Sequence, residues 1–185
     1  MGLNPEARRA DARAVLWDRG AAGEQATATL LAQLGAYGWQ VRHDVRLPVR
    51  RFNLDHILVS PCGTAVVVLD TKVWHRGKDT KLVGGRVCCD TEDRHEQVEK
   101  VARYASVVQT VLGLSGVVVW PLLVVHNSPV QGGVLEARAP GWAGPVWVLS
   151  PTYLVPTLVR APNARDPQRA GVVAARVDQV LVPYQ

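Results

Sequence analysis

The sequence has few cysteines and no long hydrophobic run. Its 185 residues include three cysteines, and Cys88 and Cys89 are adjacent, which argues against a disulfide framework. The longest apolar run, residues 117–125, is half the length that a membrane helix needs and instead predicts a buried strand. The N-terminus becomes charged at once and lacks the apolar stretch of a signal peptide. We therefore expect a cytoplasmic protein without disulfides or membrane contact.

The composition is that of a globular domain with a surplus of positive charge. Hydrophobic residues make up 48% and charged residues 20%, and the length suits one hydrophobic core. The net charge is +5, and most of the cationic residues are arginine. Because arginine binds phosphate groups well, this excess favours a polyanionic partner. The codon usage of a GC-rich genome explains it equally well, so charge alone leaves the partner open.

The spacing of apolar residues and glycines predicts a mixed sheet flanked by helices. We expect an N-terminal helix over residues 5–17, a break at Gly20–Gly23, and a second helix that ends at Gly35. Strands are predicted over residues 39–47, 54–60, 65–71, 77–89 (as a hairpin), 117–125 and 146–149, and helices over 93–112, 151–159 and 168–180. This order of elements indicates an α/β or α+β fold.

Charged residues stand at the ends of two apolar strands. The segment 54–71 reads as a hairpin, in which the start of one strand lies beside the end of the next. Asp55 and Asp70 are therefore expected to converge at one end of the sheet. Side chains alternate along a strand, which places Lys72 on the same face as Asp70.

This convergence predicts a metal site. Two neighbouring carboxylates repel each other, and a divalent cation relieves the repulsion. Oxygen ligands favour Mg²⁺ or Mn²⁺ over zinc, and a nearby lysine can help a metal-bound water to attack a phosphodiester. The alternative is a surface Asp–Lys pair at a strand end and an unrelated aspartate in a turn.

The order of these motifs resembles that of the NERD (nuclease-related) domain of the PD-(D/E)xK superfamily. The motifs are Gly23-Glu24 at a helix start, the strand NLDHILVS containing Asp55, a Pro/Gly turn, and the segment AVVVLDTK containing Asp70 and Lys72. The resemblance spans about residues 23–126. It implies a restriction-endonuclease-like mixed sheet flanked by helices. We expect one nuclease-like domain over residues 1–185, with this core, an N-terminal helix 5–17 and an extension 127–185.

The resemblance also implies roles for five residues in a Mg²⁺- or Mn²⁺-dependent deoxyribonuclease. Asp55 and Asp70 would bind the metal with the help of Glu24, and aspartate stands at position 70 where many relatives have glutamate. Lys72 would be the catalytic lysine. Gln97, in the long helix, would contact a metal-bound water or a phosphate. Its alternative role is that of an exposed polar residue in a first helical turn.

Basic and aromatic residues near these motifs are candidates for DNA contacts. Arg46, Arg50 and Arg51 precede Asp55 and could bind the phosphate backbone, or could be solvated charges at a strand edge. Trp74 could stack on a base or belong to the core, and His75 could reach a phosphate or only solvent.

Three classes of function remain open. The first is a nuclease that cleaves DNA, and its support is that all the acidic positions and Lys72 are present. The second is an inactive nucleic-acid-binding module, and the third is an interaction module of a defence or mobile-element system. Many enzymes of the superfamily are dimers, so the region 142–149 is expected to form either a homodimer interface or a late strand.

Overall fold

The computed structural model describes residues 5–46, 53–160 and 164–184. Its helices are α1 (Pro5–Ala32), α2 (His95–Leu112), α3 (Pro151–Val159) and α4 (Pro167–Val180), and short 3₁₀ helices cover Gln33–Tyr37 and Gln131–Gly133. Its strands are β1 (Gln40–Arg46), β2 (Asn53–Val59), β3 (Ala65–Val73), β4 (Thr80–Val83), β5 (Arg86–Cys89), β6 (Glu92–Asp93), β7 (Val118–His126), β8 (Val134–Ala137), β9 (Val146–Leu149) and β10 (Val182–Pro183).

The central sheet is mixed, as the sequence predicted. Its seven described strands have the order β10-β1-β2-β3-β7-β9-β8. Strands β1, β2 and β3 pair antiparallel, whereas β7 pairs parallel with both β3 and β9. Strands β4, β5 and β6 form a separate small sheet in the connection between β3 and α2. The fold is therefore α+β.

Helices cover both faces of the central sheet, because its central strands are apolar on both sides. On one face, α2 and α4 bury a core that includes Val66, Val68 and Leu123. On the other face, the end of α1 and α3 pack on a second core that includes Val67 and Leu69. Alternate residues of β3 thus point into the two cores, as the period of a strand requires. Asp70 and Lys72 follow Val66 and Val68 on the α2 face.

The predicted break at Gly20–Gly23 is wrong, since α1 runs without interruption to Ala32. Gly23 lies where α1 packs closely on β3, and a Cβ atom there would overlap the Cγ2 methyl of Val73. This glycine serves close packing rather than a turn. The predicted end at Gly35 is also wrong, because the left-handed residue that ends the segment is Gly38, with φ 85°.

We expect opposite effects from adding a methyl group at the two glycines of α1. Gly23→Ala should lower the free energy of unfolding by about 1–3 kcal/mol, because the added Cβ overlaps Val73. Gly20→Ala should raise it by up to about 1 kcal/mol, because a Cβ there meets nothing within 4 Å and alanine favours a helix. Urea unfolding of both variants measures the difference. Equal effects would contradict this packing of α1.

The region 142–149 supplies an internal strand of the sheet. Val146 and Val148 are buried, and β9 lies between β7 and β8. The alternative of a late strand is thus confirmed for residues 146–149. Cys62, Cys88 and Cys89 are buried and free. No helix in the described part of the chain is long and apolar enough to cross a membrane.

Candidate active site

The β2–β3 hairpin brings Asp55 and Asp70 to the same position of the sheet. The paired residues run from Val59 opposite Val66 to His56 opposite Leu69. One further step in this register places Asp55 opposite Asp70, and opposed residues of an antiparallel pair project from the same face. The predicted convergence of the two aspartates is therefore confirmed at the level of the sheet.

Asp55 is fixed by the neighbouring strand. Its Oδ2 accepts a hydrogen bond of 2.7 Å from the backbone N–H of Thr71, the residue between Asp70 and Lys72. Burial, together with the negative charge of Asp70, raises the pKa of Asp55 to about 7. The N–H of Thr71 opposes this shift but does not cancel it. Asp55 therefore carries its charge at a cost in free energy when the pH exceeds about 7.

Asp70 is a buried carboxylate between two lysines. Only 3% of the surface of Asp70 is exposed. The ammonium of Lys72 contacts Oδ2, and that of Lys100, on α2, lies 3.7 Å from Oδ1. Lys72 also donates a hydrogen bond of 2.9 Å to the carbonyl of Thr71, which fixes its ammonium at the strand end.

Glu24 approaches the same group from α1. The close packing of Gly23 on β3 places the next residue, Glu24, beside the end of that strand. Burial raises the pKa of Glu24, and the charges of Asp44 and Asp70 raise it further. Lys72 and Lys100 act in the opposite direction, so both ammonium groups act on this carboxylate as well.

A fourth acidic residue of the region, Asp44, was not predicted. Asp44 lies in β1, and the register between His43–His56 and Val45–Leu54 places it opposite Asp55. Its charge raises the pKa of Glu24, so Asp44 belongs to the surroundings of the acidic group. Asp44 has a positive φ of 47°, a conformation that aspartate tolerates better than most residues. No sequence pattern marked it, because its position depends on the pairing of β1 with β2.

A buried polar network lies under the strand that carries Asp70 and Lys72. Thr71 Oγ1 donates to Thr27 Oγ1 of α1 at 3.1 Å, and the hydroxyl of Thr27 lies 2.8 Å from Nε2 of His126. His56 Nε2 is 3.5 Å from the Thr71 hydroxyl, and its Nδ1 is 2.8 Å from Nδ1 of His43. His56 faces away from Asp55, as strand alternation predicts, and is a satisfied core histidine.

The remaining predicted residues lie elsewhere or make other contacts. Gln97 donates a hydrogen bond of 3.0 Å to its neighbour Glu96, and Lys100, one helical turn later, is the α2 residue at Asp70. Trp74 is 8% exposed and packs in the core on the α2 side, which agrees with its alternative role. His75 is exposed, and its Nδ1 lies 2.7 Å from the carbonyl of Arg76.

The predicted basic stretch is described only in part. Arg46 is exposed, and its guanidinium lies 5.8 Å from the centre of the Tyr184 ring. Arg50 and Arg51 lie outside the described residues, so their proposed phosphate contacts stay predictions.

Within the described ranges, no three His, Cys, Asp or Glu side chains are arranged to hold a metal ion together. The pair Asp55 and Asp70, with Glu24 beside it, is the acidic group at the predicted position. Two ammonium groups lie beside it, of which Lys72 was predicted from its strand spacing. Lys100 was not predicted, because Gln97 on the same side of α2 was expected to be the residue of this helix that reaches the site.

A comparison with family models identifies the class of this fold and site. Residues 19–126, which are more than half of the chain, match the nuclease-related domain, NERD. The chain belongs to the NERD family, and the mixed sheet agrees with placement in the PD-(D/E)xK superfamily. No curated protein and no solved structure matches the chain. Membership indicates a nuclease-related function and a nucleic acid as partner.

Proposed function

We propose that this protein is a metal-dependent nuclease that hydrolyses phosphodiester bonds of DNA. The observation that carries the proposal is the position of Asp55 opposite Asp70, with Lys72 on the same strand end. The family match supports the same reading, because residues 19–126 contain all of these residues.

The chemistry of these donors fits Mg²⁺ or Mn²⁺. The two aspartates offer carboxylate oxygens from neighbouring strands, and burial and the charge of Asp70 raise the pKa of Asp55. A hard divalent cation prefers such oxygen donors and would relieve the repulsion between the two carboxylates. Asp55 and Asp70 would hold it, with Glu24 assisting. When bound, the cation would activate water and neutralise charge on the scissile phosphate.

Lys72 would act on the reacting groups directly. Its ammonium is fixed between the Asp70 carboxylate and the Thr71 carbonyl. From that position it can orient the attacking water and stabilise the negative charge that develops on the phosphate. Asp55 is held in place by the Thr71 N–H, so strand β3 positions both residues.

An inactive nucleic-acid-binding module is the second candidate. The observation that favours it is that Lys72 and Lys100 together already balance the charge of Asp70. In such a module the same residues would form a structural ion-pair cluster, and DNA would bind without being cleaved.

Incubation with DNA separates the two candidates. We expect the purified protein to cleave plasmid, linear or single-stranded DNA in the presence of Mg²⁺ or Mn²⁺. Cleavage should stop when EDTA is added. Comparison of the three substrates shows whether the enzyme needs ends or single strands. Binding without cleavage in any metal would contradict the enzyme and favour the module.

A further inference from the structure

Lys100 is a basic residue of the site that the sequence motifs did not indicate. It lies on α2, and its Nζ is 3.7 Å from Asp70 Oδ1. Lys72 contacts the other oxygen, Oδ2, so each oxygen of this buried carboxylate has an ammonium group beside it. The Lys100 ammonium also lies 5.3 Å from the centre of the ring of Tyr104, which is one turn further along α2.

The two lysines are held differently. Lys72 is anchored by a hydrogen bond to Thr71 as well as by Asp70. The Lys100 ammonium is beyond hydrogen-bond distance from Asp70, and 36% of its side chain is exposed. A lysine has a flexible four-carbon stem, so Lys100 can leave Asp70 without disturbing β3. The Tyr104 ring beside it is a second favourable place for the charge.

We infer that Lys100 occupies the place of a cation beside Asp70 in the metal-free protein and moves to a backbone phosphate of the DNA when a divalent cation binds. This inference rests on the proposed function. A divalent cation held by Asp70 would repel an ammonium at this distance. A phosphate of the substrate, brought to the same place, would attract it.

The electrostatics of the neighbouring acids agree with this role. Burial acts to lower the pKa of Lys100, but Asp70 and Tyr104 outweigh it and raise the pKa above its ordinary value. Asp55 adds to the same effect, and Lys100 in turn lowers the pKa of Glu24. Lys100 therefore interacts with all three carboxylates to which the metal is assigned.

Lys100→Ala should change the affinities for metal and DNA in opposite directions. By isothermal titration calorimetry, the Kd for Mn²⁺ should fall by about three- to tenfold, because a competing positive charge is gone. In Mg²⁺-dependent cleavage of a DNA duplex, KM should rise by about the same factor with kcat nearly unchanged, because one phosphate contact is lost. Lys100→Arg, which keeps the charge, should restore the KM.

Arg103→Ala is the matched control. Arg103 is exposed on the same helix, so its removal changes the net charge equally without touching Asp70. If Lys100→Ala and Arg103→Ala give the same Mn²⁺ and DNA affinities while the wild type binds both, Lys100 has no specific role and the inference is overturned. If the wild type binds no Mn²⁺, the proposed function itself fails and the inference fails with it.

Discussion

Lys72→Ala should lower Mg²⁺-dependent cleavage of DNA by about a hundredfold or more. A positioned group that transfers a proton or stabilises charge in the transition state contributes at least this much. The affinity for DNA should fall only slightly, because one contact among many is lost. The measurements are the cleavage rate under single-turnover conditions and the Kd for the same DNA duplex in EDTA.

Stability must be measured on the same preparation, because Lys72 also compensates a buried charge. Its removal leaves Asp70 with Lys100 at 3.7 Å, and loss of one partner of a buried pair is destabilising. Lys81→Ala, which removes a lysine from β4, is the control for charge. A Lys72→Ala protein that is destabilised but cleaves DNA at the wild-type rate would show that Lys72 is only the structural partner of Asp70.

The hairpin was predictable because its information is local. A run of β-branched residues on each side of a Pro/Gly turn specifies two antiparallel strands, and a short turn constrains their register. The relative position of Asp55 and Asp70 follows from that register alone. Burial of both faces of β3 was likewise visible, since an uninterrupted valine run is typical of a strand with helices on both sides.

The contribution of α1 was harder to predict, because it depends on tertiary packing. Two glycines in four residues normally indicate a break in a helix. In α1 the cost of Gly23 in helix propensity is offset by the close approach to Val73, which no local pattern reveals. Because α1 is continuous, Glu24 lies inside this helix, although the motif suggested a first helical turn.

The choice between Gln97 and Lys100 also depended on packing. Both lie on the same side of α2, three residues apart, so helical periodicity cannot decide which of them reaches the sheet. The structure places Lys100 at Asp70 and leaves Gln97 bound to Glu96.

Asp55→Asn should stabilise the metal-free protein, whereas in the presence of Mn²⁺ the variant should be less stable than the wild type. In EDTA at pH 8, the variant should be more stable than the wild type by an amount of the order of 2 kcal/mol. The reason is that folding raises the pKa of Asp55 from its ordinary 3.8 to about 7, so the charged form is disfavoured in the folded protein. Asparagine carries no charge and still offers an oxygen to the Thr71 N–H.

The sign of the pH dependence follows from the same shift. The folded protein binds a proton at Asp55 more tightly than the unfolded chain does, so wild-type stability is lost as the pH rises from about 4 through about 7. The difference in free energy of unfolding between the variant and the wild type should therefore become smaller as the pH is lowered from 8 to 5. Metal binding by the wild type should strengthen over the range in which Asp55 loses its proton.

Addition of Mn²⁺ should make the wild type the more stable protein. At a concentration of about one hundred times Kd, a ligand that binds only the folded state adds about 2.7 kcal/mol. The variant lacks a charged ligand and should gain little. Thermal unfolding with and without Mn²⁺ measures both effects, and Glu136→Gln, an exposed acid on the edge strand β8, is the control. Equal gains in Tm for the wild type and Asp55→Asn would show that Asp55 holds no metal, because a carboxylate that binds the cation cannot be replaced by an amide without loss.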